Sequence, residues 1–198
     1  VGTALWSIEQ SFGLFNWLSL PSWLTLVICV VLLDFSIYVQ HVATHHFPWL
    51  WRIHKVHHAD TDMDVTTAVR FHPVELILSL GYKSAAVVVL GAPVSAVLAF
   101  ELLLFVGPVF NHSNIKLPGA LDRILRWAIA TPDTHRSHHS TIISEQNTNY
   151  GFFLIWWDKA FDTYTDVPAG GHEAMQIGLT DDDDQCDRID QMLLAPFR

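Results

Sequence analysis

The sequence predicts an all-α fold: an integral-membrane helical bundle with a histidine-rich cap on its cytoplasmic side. Three observations predict it. Two long apolar blocks occupy residues 17–39 and 74–110. Charged residues make up 16% of the 198 residues, where soluble domains average about 25%. Twelve histidines outnumber the eleven lysines and arginines, and most of them fall just outside the apolar blocks. The 51% hydrophobic content excludes a disordered chain. A formal net charge of -9 excludes a nucleic-acid partner, which selects a basic face. Cys29 and Cys186 are too few for a zinc ribbon or a disulfide framework. The length suits one domain over residues 1–198.

The first block, residues 17–39, holds one ionisable carboxylate or base between Ser22 and Val39, Asp34, and is long enough to span a bilayer. The chain starts at Val1 with no basic stretch ahead of it, so no signal peptide is expected. A start other than Met fits a truncated N-terminus, with an earlier helix missing. The second block is broken by Leu90-Gly91-Ala92-Pro93, a Gly-x-Pro punctuation that predicts a helical hairpin entering the membrane and returning. Lys83 and Glu101 lie at nearly equal distance from that break. They either pair across the two arms or reach separately toward an interface. Leu121, Ile124, Leu125 and Ala128 recur at helical spacing and predict an amphipathic surface helix. Trp127, Trp156 and Trp157 suit an interfacial belt. The tail 166–198 is acidic, and Asp181–Asp184 reads as a solvated run.

No Lys or Arg precedes Arg52, so the positive-inside rule places everything after residue 40 on the cytoplasmic side. The hairpin crosses twice. The polar stretches 41–73 and 111–165 therefore share one face of the membrane.

The histidines on that face are patterned. His41 and His45 are spaced i, i+4 and share a helical stripe with Asp34 and Tyr38. His54, His57 and His58 form an HxxHH box, and His135, His138 and His139 form a second. His72 and His112 stand alone between the boxes. Imidazole binds metal near neutral pH without a costly deprotonation. A single such box arises readily by chance; two HxxHH boxes and an HxxxH on one membrane face point to metal. Ten ligands suffice for two ions at about five each, an arrangement used to activate small molecules. No Glu-x-x-His accompanies the boxes, so the site is expected to be nearly all nitrogen, unlike soluble di-iron bundles. His46 would point away from the His41/His45 stripe, and His172 follows Gly170-Gly171 in a polar tail; neither is expected to bind metal.

These segments resemble the sterol desaturase/fatty acid hydroxylase superfamily of integral-membrane di-iron oxygenases, and are most similar to its bacterial branch. The carrying residues run from Asp34 to His58, through Arg70-Phe71-His72-Pro73-Val74-Glu75 and Asn111-His112-Ser113-Asn114. They continue over Thr131-Pro132-Asp133 with the second box, then Asn149-Tyr150-Gly151 and Trp157-Asp158. The resemblance implies iron ligands at His41, His45, His54, His57, His58, His135, His138 and His139, with His72 and His112 at positions where the family tends to keep histidine. Two departures stand out: Val42 replaces the family's usual Arg in the first box, and Asp162 replaces a Gly in the aromatic tail motif.

The activity implied by the resemblance is an O2-dependent oxidation of a lipid C–H bond, giving an alcohol or an alkene on a sterol, fatty acyl or related chain. Two non-haem irons are implied, replaceable by zinc in purified protein. Electrons come from outside, from a ferredoxin or cytochrome-type donor at the cytoplasmic face, since no flavin, haem or Fe–S motif occurs. A bacterial cytoplasmic membrane is the expected location. Asp34, Glu75, Asp133 and Asn149 are candidates to orient imidazoles through their second nitrogen; Asn114 and Tyr150 are candidates to touch substrate. The alternatives are a zinc-loaded membrane hydrolase or isomerase, a metal transporter, and a b-type haem protein. Transporter ligands lie near the midplane, and a bis-histidine haem leaves most of these residues unexplained.

Overall fold

The computed structural model describes residues 1–180 and 188–197; Asp181–Asp184 and Cys186 lie outside the described residues. The order is α1 (Gly2–Glu9), α2 (Leu14–Trp17), α3 (Ser22–His46), α4 (Pro48–His58), α5 (Pro73–Leu90), α6 (Val94–Asn111), α7 (Gly119–Leu125), α8 (Pro132–His138), α9 (Ile143–Gln146), α10 (Trp156–Ala160) and α11 (Ile189–Leu194), closed by a 3-10 turn at Ala195–Phe197. The described residues form helices, turns and two isolated β-bridges, with no strand.

Three helices, α3, α5 and α6, are long and apolar enough to cross a membrane. The first differs from the expected residues 17–39. Pro21 sets its start at Ser22, and it runs on to His46, so His41 and His45 ride on its last turns. Phe47 ends α3 and starts α4, with Pro48 at the first helical position. Proline cannot continue α3 but is preset to begin a helix, and it forces Phe47 to be extended. The result is a sharp corner carrying the first two histidine sets.

The predicted hairpin is α5 and α6. Gly91 caps α5 at φ +62°, the left-handed conformation that favours glycine. A β-carbon there would collide with Asn16 Nδ2 and the Phe12 carbonyl, because the α1–α2 turn docks on this tip. Ala4, Phe15, Cys29, Leu33, Ile37, Val87, Ala92, Ala96, Val97 and Phe100 form the buried apolar core. Small residues at these crossings let helices approach where lipid offers no hydrophobic drive. The outward faces stay apolar: Ile77, Leu80, Val89, Leu102 and Phe105 are 61–70% exposed, as lipid contact requires.

The surface helix is shorter than its apolar repeat. α7 ends at Leu125, which leaves Ala128 outside it, while Leu121 and Ile124 are exposed. Trp127 and Trp156 are exposed too. Trp157 turns inward, against the belt expectation: its indole N–H donates to Asp34 Oδ2 at 2.7 Å and its ring packs on Phe35.

Candidate metal centre

Four elements at one end of the bundle deliver the histidines. α3 brings His41 and His45, α4 brings His54, His57 and His58, His112 caps α6, and α8 with its cap brings His135, His138 and His139. Thr131 and Thr134 form a capping box that fixes where α8 begins, and Pro132 occupies its first position.

The side chains gather into two groups. His41, His45, His54, His58 and His138 form one; His57, His112, His135 and His139 form the other; within each, the ligand atoms lie within 4.8 Å of one another. Each HxxHH box is divided. α4 sends its i, i+4 pair, His54 and His58, to the first group and His57 to the second; α8 sends His138 to the first and its i, i+4 pair, His135 and His139, to the second. The two helices thus face each other in a complementary way. His58 and His139 stack at 4.5 Å between ring centroids, which makes the groups neighbours.

His72 does not join them, which corrects the ten-histidine expectation. Its Nδ1 accepts the Val74 N–H as the cap of α5, and its Nε2 lies 3.3 Å from the Leu193 carbonyl. Proline at position 73 leaves His72 extended at a helix start, where its ring is drawn to backbone rather than to the centre. His46 is exposed, and His172 lies in a separate cleft with Asn114, Asp133 and Arg136.

Second nitrogens are oriented mostly by backbone. His41 Nδ1 donates to the Tyr150 carbonyl at 2.7 Å, His138 Nδ1 to the Thr148 carbonyl at 2.7 Å, and His112 Nδ1 to the Pro108 carbonyl at 2.8 Å. His54 Nδ1 pairs with Glu75 Oε1 at 2.6 Å. A hydrogen committed at Nδ1 leaves Nε2 as a bare lone pair on a neutral ring. Of the four expected orienting side chains, Glu75 touches an imidazole. Asp34 holds Trp157, and Asp133 pairs with Arg136 at 2.7 Å.

Asn149 acts through the chain. At φ +55° it makes the turn between the Thr148 and Tyr150 carbonyls, so one residue aims both. Its amide donates to the Thr134 and Thr165 carbonyls and accepts from the Thr165 N–H. Asp158 completes the anchor, accepting from the Tyr150 and Gly151 amides at 2.8 Å each and from the Thr163 hydroxyl. Burial pushes its carboxyl up to about 6, against these donors. Sequence reasoning missed Asp158 as a site residue, although the motif containing it was visible; carbonyls leave no trace in residue identity.

Eight of the nine converging histidines are at most 3% exposed, and His45 is partly exposed. Burial, reinforced by neighbouring imidazoles, holds His57, His58, His135 and His139 well below the ordinary imidazole range. Burial likewise lowers His112 to about 4 and His138 to about 3. Phe71 stacks on His57 at 4.6 Å, Trp51 packs on His45 and His58, and Tyr150 packs on His41, His45 and His138. These aromatic rings pack directly over the neutral imidazoles.

The donor set fits metal. Buried polar atoms normally find partners, yet both ring nitrogens of His45, His58 and His139 and the Nε2 of His54 have none. His112 Nε2 lies 3.2 Å from His57 Nε2 and 3.1 Å from His135 Nε2. Nitrogens about 2.1 Å from one ion and at right angles to each other sit about 3.0 Å apart. The arrangement can therefore hold two adjacent cations in nitrogen-rich sites, the chemistry that suits iron, zinc or copper.

The chain is 32% identical over 162 residues to an ornithine lipid hydroxylase of Rhizobium tropici, covering 81% of this chain and 47% of that protein. It is 32% identical over 141 residues to a cholesterol 25-hydroxylase-like protein of Danio rerio, covering 70% and 54%. It is 32% identical over 177 residues to the alkylglycerol monooxygenase of Homo sapiens, covering 87% and 37%. The chain thus spans about half the length of the curated relatives it matches, or less. No solved structure matches it. The family model described as fatty acid hydroxylase matches residues 26–163, which include all nine converging histidines, and the chain belongs to that family.

Proposed function

We propose that this chain is a membrane oxygenase that uses two iron ions and O2 to hydroxylate or desaturate a C–H bond of a lipid. The observation that carries the reading is the convergence of nine imidazoles, eight of them buried, into two adjacent groups. His41, His45, His54, His58 and His138 would hold one ion, and His57, His112, His135 and His139 the other. Iron, once bound and reduced, supplies O2 activation and abstraction of the substrate hydrogen, chemistry no side chain provides. The protein's part is to hold the ligands, fix their tautomers through Tyr150, Thr148, Pro108 and Glu75, and exclude water with its aromatic shell.

A cavity of about 150 Å³ between α3, α5 and α6 reaches His41 and His54 and is lined by Ile37, Phe71, Leu76, Leu104 and Phe152. It suits an apolar chain entering from the bilayer. The relatives' names span an ornithine lipid, a sterol and an alkylglycerol, which supports a lipid substrate of some kind. A separate polar cleft with Gln146, Asn147 and Thr141 reaches His45. With every Lys and Arg following α3, the side bearing that cleft is read as cytoplasmic, in a bacterial inner membrane, and as the side where a ferredoxin or cytochrome-type donor delivers electrons. Residues 1–198 are read as a single catalytic domain.

The test is to purify the full chain, count metal, and follow O2 consumption with lipid extracts while profiling lipids in cells with and without the protein. Two irons per chain and a new oxidised lipid, both lost in His138→Ala, are expected. A single ion, haem absorbance, or no oxidised lipid would overturn the reading.

A further inference from the structure

The lipid cavity reaches one member of an ion pair, Lys83, whose partner Glu101 lies outside the lining. Lys83 lines the same cavity as His41 and His54. Its ammonium faces Glu101 Oε1 across the hairpin at 3.8 Å. Of the two sequence alternatives the pair is the one formed, but the distance exceeds a hydrogen bond. Among the described residues the ammonium has this one ionic neighbour and no hydrogen bond within reach. Lys83 is 21% exposed and Glu101 52%. Both belong to spans: Lys83 to Pro73–Leu90 and Glu101 to Val94–Asn111. Ionisable groups at such depth are costly to retain and mark substrate or ion pathways by default.

The geometry has a scale. Glu75 marks the metal end, through its bond to His54. Lys83 lies eight residues further along α5, about 12 Å at 1.5 Å per residue. The lining between them mixes apolar Leu76 and Ile37 with polar Ser79 and Gln40, whose side chains meet at 3.4 Å.

We propose that the pair is a polar anchor for a neutral lipid bearing a free hydroxyl, held with the carbon to be oxidised about 12 Å away beside His41 and His54. A hydroxyl accepts from the Lys83 ammonium and donates to the Glu101 carboxylate, so it completes both groups at once. A carboxylate or phosphate would be opposed by Glu101, and an ammonium headgroup by Lys83. The pair is neutral overall and therefore selects a neutral partner. Lys83 and Glu101 thereby choose the substrate class and set which carbon reaches the centre. This rests on reading the histidine groups as the oxidising centre, but binding can be measured without oxidation.

The experiment uses the full chain loaded with zinc in nanodiscs and compares binding of radiolabelled hexadecanol with its methyl ether, which keeps the acceptor and loses the donor. Wild type is expected to favour the alcohol about tenfold or more, as charge-assisted hydrogen bonds allow. Lys83→Met, and the double variant Lys83→Met with Glu101→Met, are expected to abolish the preference with metal content unchanged. The double variant guards against misfolding, because it leaves neither charge without its partner. Equal binding of both ligands by wild type, or a preference that survives in the double variant, overturns the anchor. Neither result bears on the two-iron reading, which stands or falls on metal count and O2 consumption.

Discussion

The Nε2 atoms of His41 and His138 lie 3.0 Å apart, although both rings have already given their Nδ1 hydrogens to backbone carbonyls. Neither nitrogen has a proton to offer the other. Two lone pairs face each other in a buried space, and a cation between them removes the repulsion. His112 Nε2, bare because its Nδ1 is given to the Pro108 carbonyl, lies 3.2 Å from His57 Nε2 and 3.1 Å from His135 Nε2.

Metal is therefore expected to be part of the fold's stability. Binding to the native state alone stabilises it by mass action. Chelation of the purified protein should lower its melting temperature, and iron or zinc should restore it. An unchanged melting curve after complete metal removal would contradict the arrangement.

The division of the boxes predicts selective loss. His41→Ala should empty the five-histidine group and His57→Ala the four-histidine group, each taking metal from two ions per chain to about one. Elemental analysis of the two variants reads this directly. Complete loss in both would mean that the groups are one site.

Glu75→Gln preserves shape but weakens the hold on His54, whose Nδ1 it meets at 2.6 Å. Loss of such an outer partner lowers metal affinity about 10–100-fold. Competition with a calibrated chelator measures the shift, and wild-type affinity in the variant would remove Glu75 from its role.

Asn149 combines a left-handed backbone with three hydrogen bonds. Asn149→Ala loses both advantages, whereas Asn149→Gly keeps the conformation. The alanine variant is expected to lose about 1–3 kcal/mol of stability and to bind metal less tightly than the glycine variant. Thermal denaturation with metal titration separates them.

Acid should unfold the metal-free protein. The buried rings of His57, His58, His135 and His139 stay neutral in the fold, where burial holds them well below the ordinary imidazole range. Unfolded, they take up protons below about 6.5. The unfolded state then binds more protons, and stability falls as pH drops through that value toward the folded values of His112 and His138, about 4 and 3. Denaturant midpoints measured from pH 8 to pH 4 should decline; a flat profile would show that the rings are already charged in the fold.

Much of this molecule is written in one dimension. Bilayer thickness demands long apolar runs, so α5, α6 and most of α3 are visible as hydrophobic stretches, and Gly91 announces the hairpin through its own backbone preference. Imidazole spacing marks both boxes. The limits of α3 are less legible, because its last turns leave the apolar run and are held by packing around His41 rather than by hydropathy.

The sequence by itself determined a helical chain with spans long and apolar enough for a membrane and with histidines patterned as metal ligands, since hydrophobic length and ligand type are local properties. Tertiary structure alone decided how each box divides between two groups, that His72 caps a helix and His112 joins the centre, and that Trp157 turns inward to Asp34. It also decided that the imidazoles are steered by the carbonyls of Tyr150, Thr148 and Pro108. Every residue carries the same carbonyl, so only the path of the chain determines which of them meets a histidine.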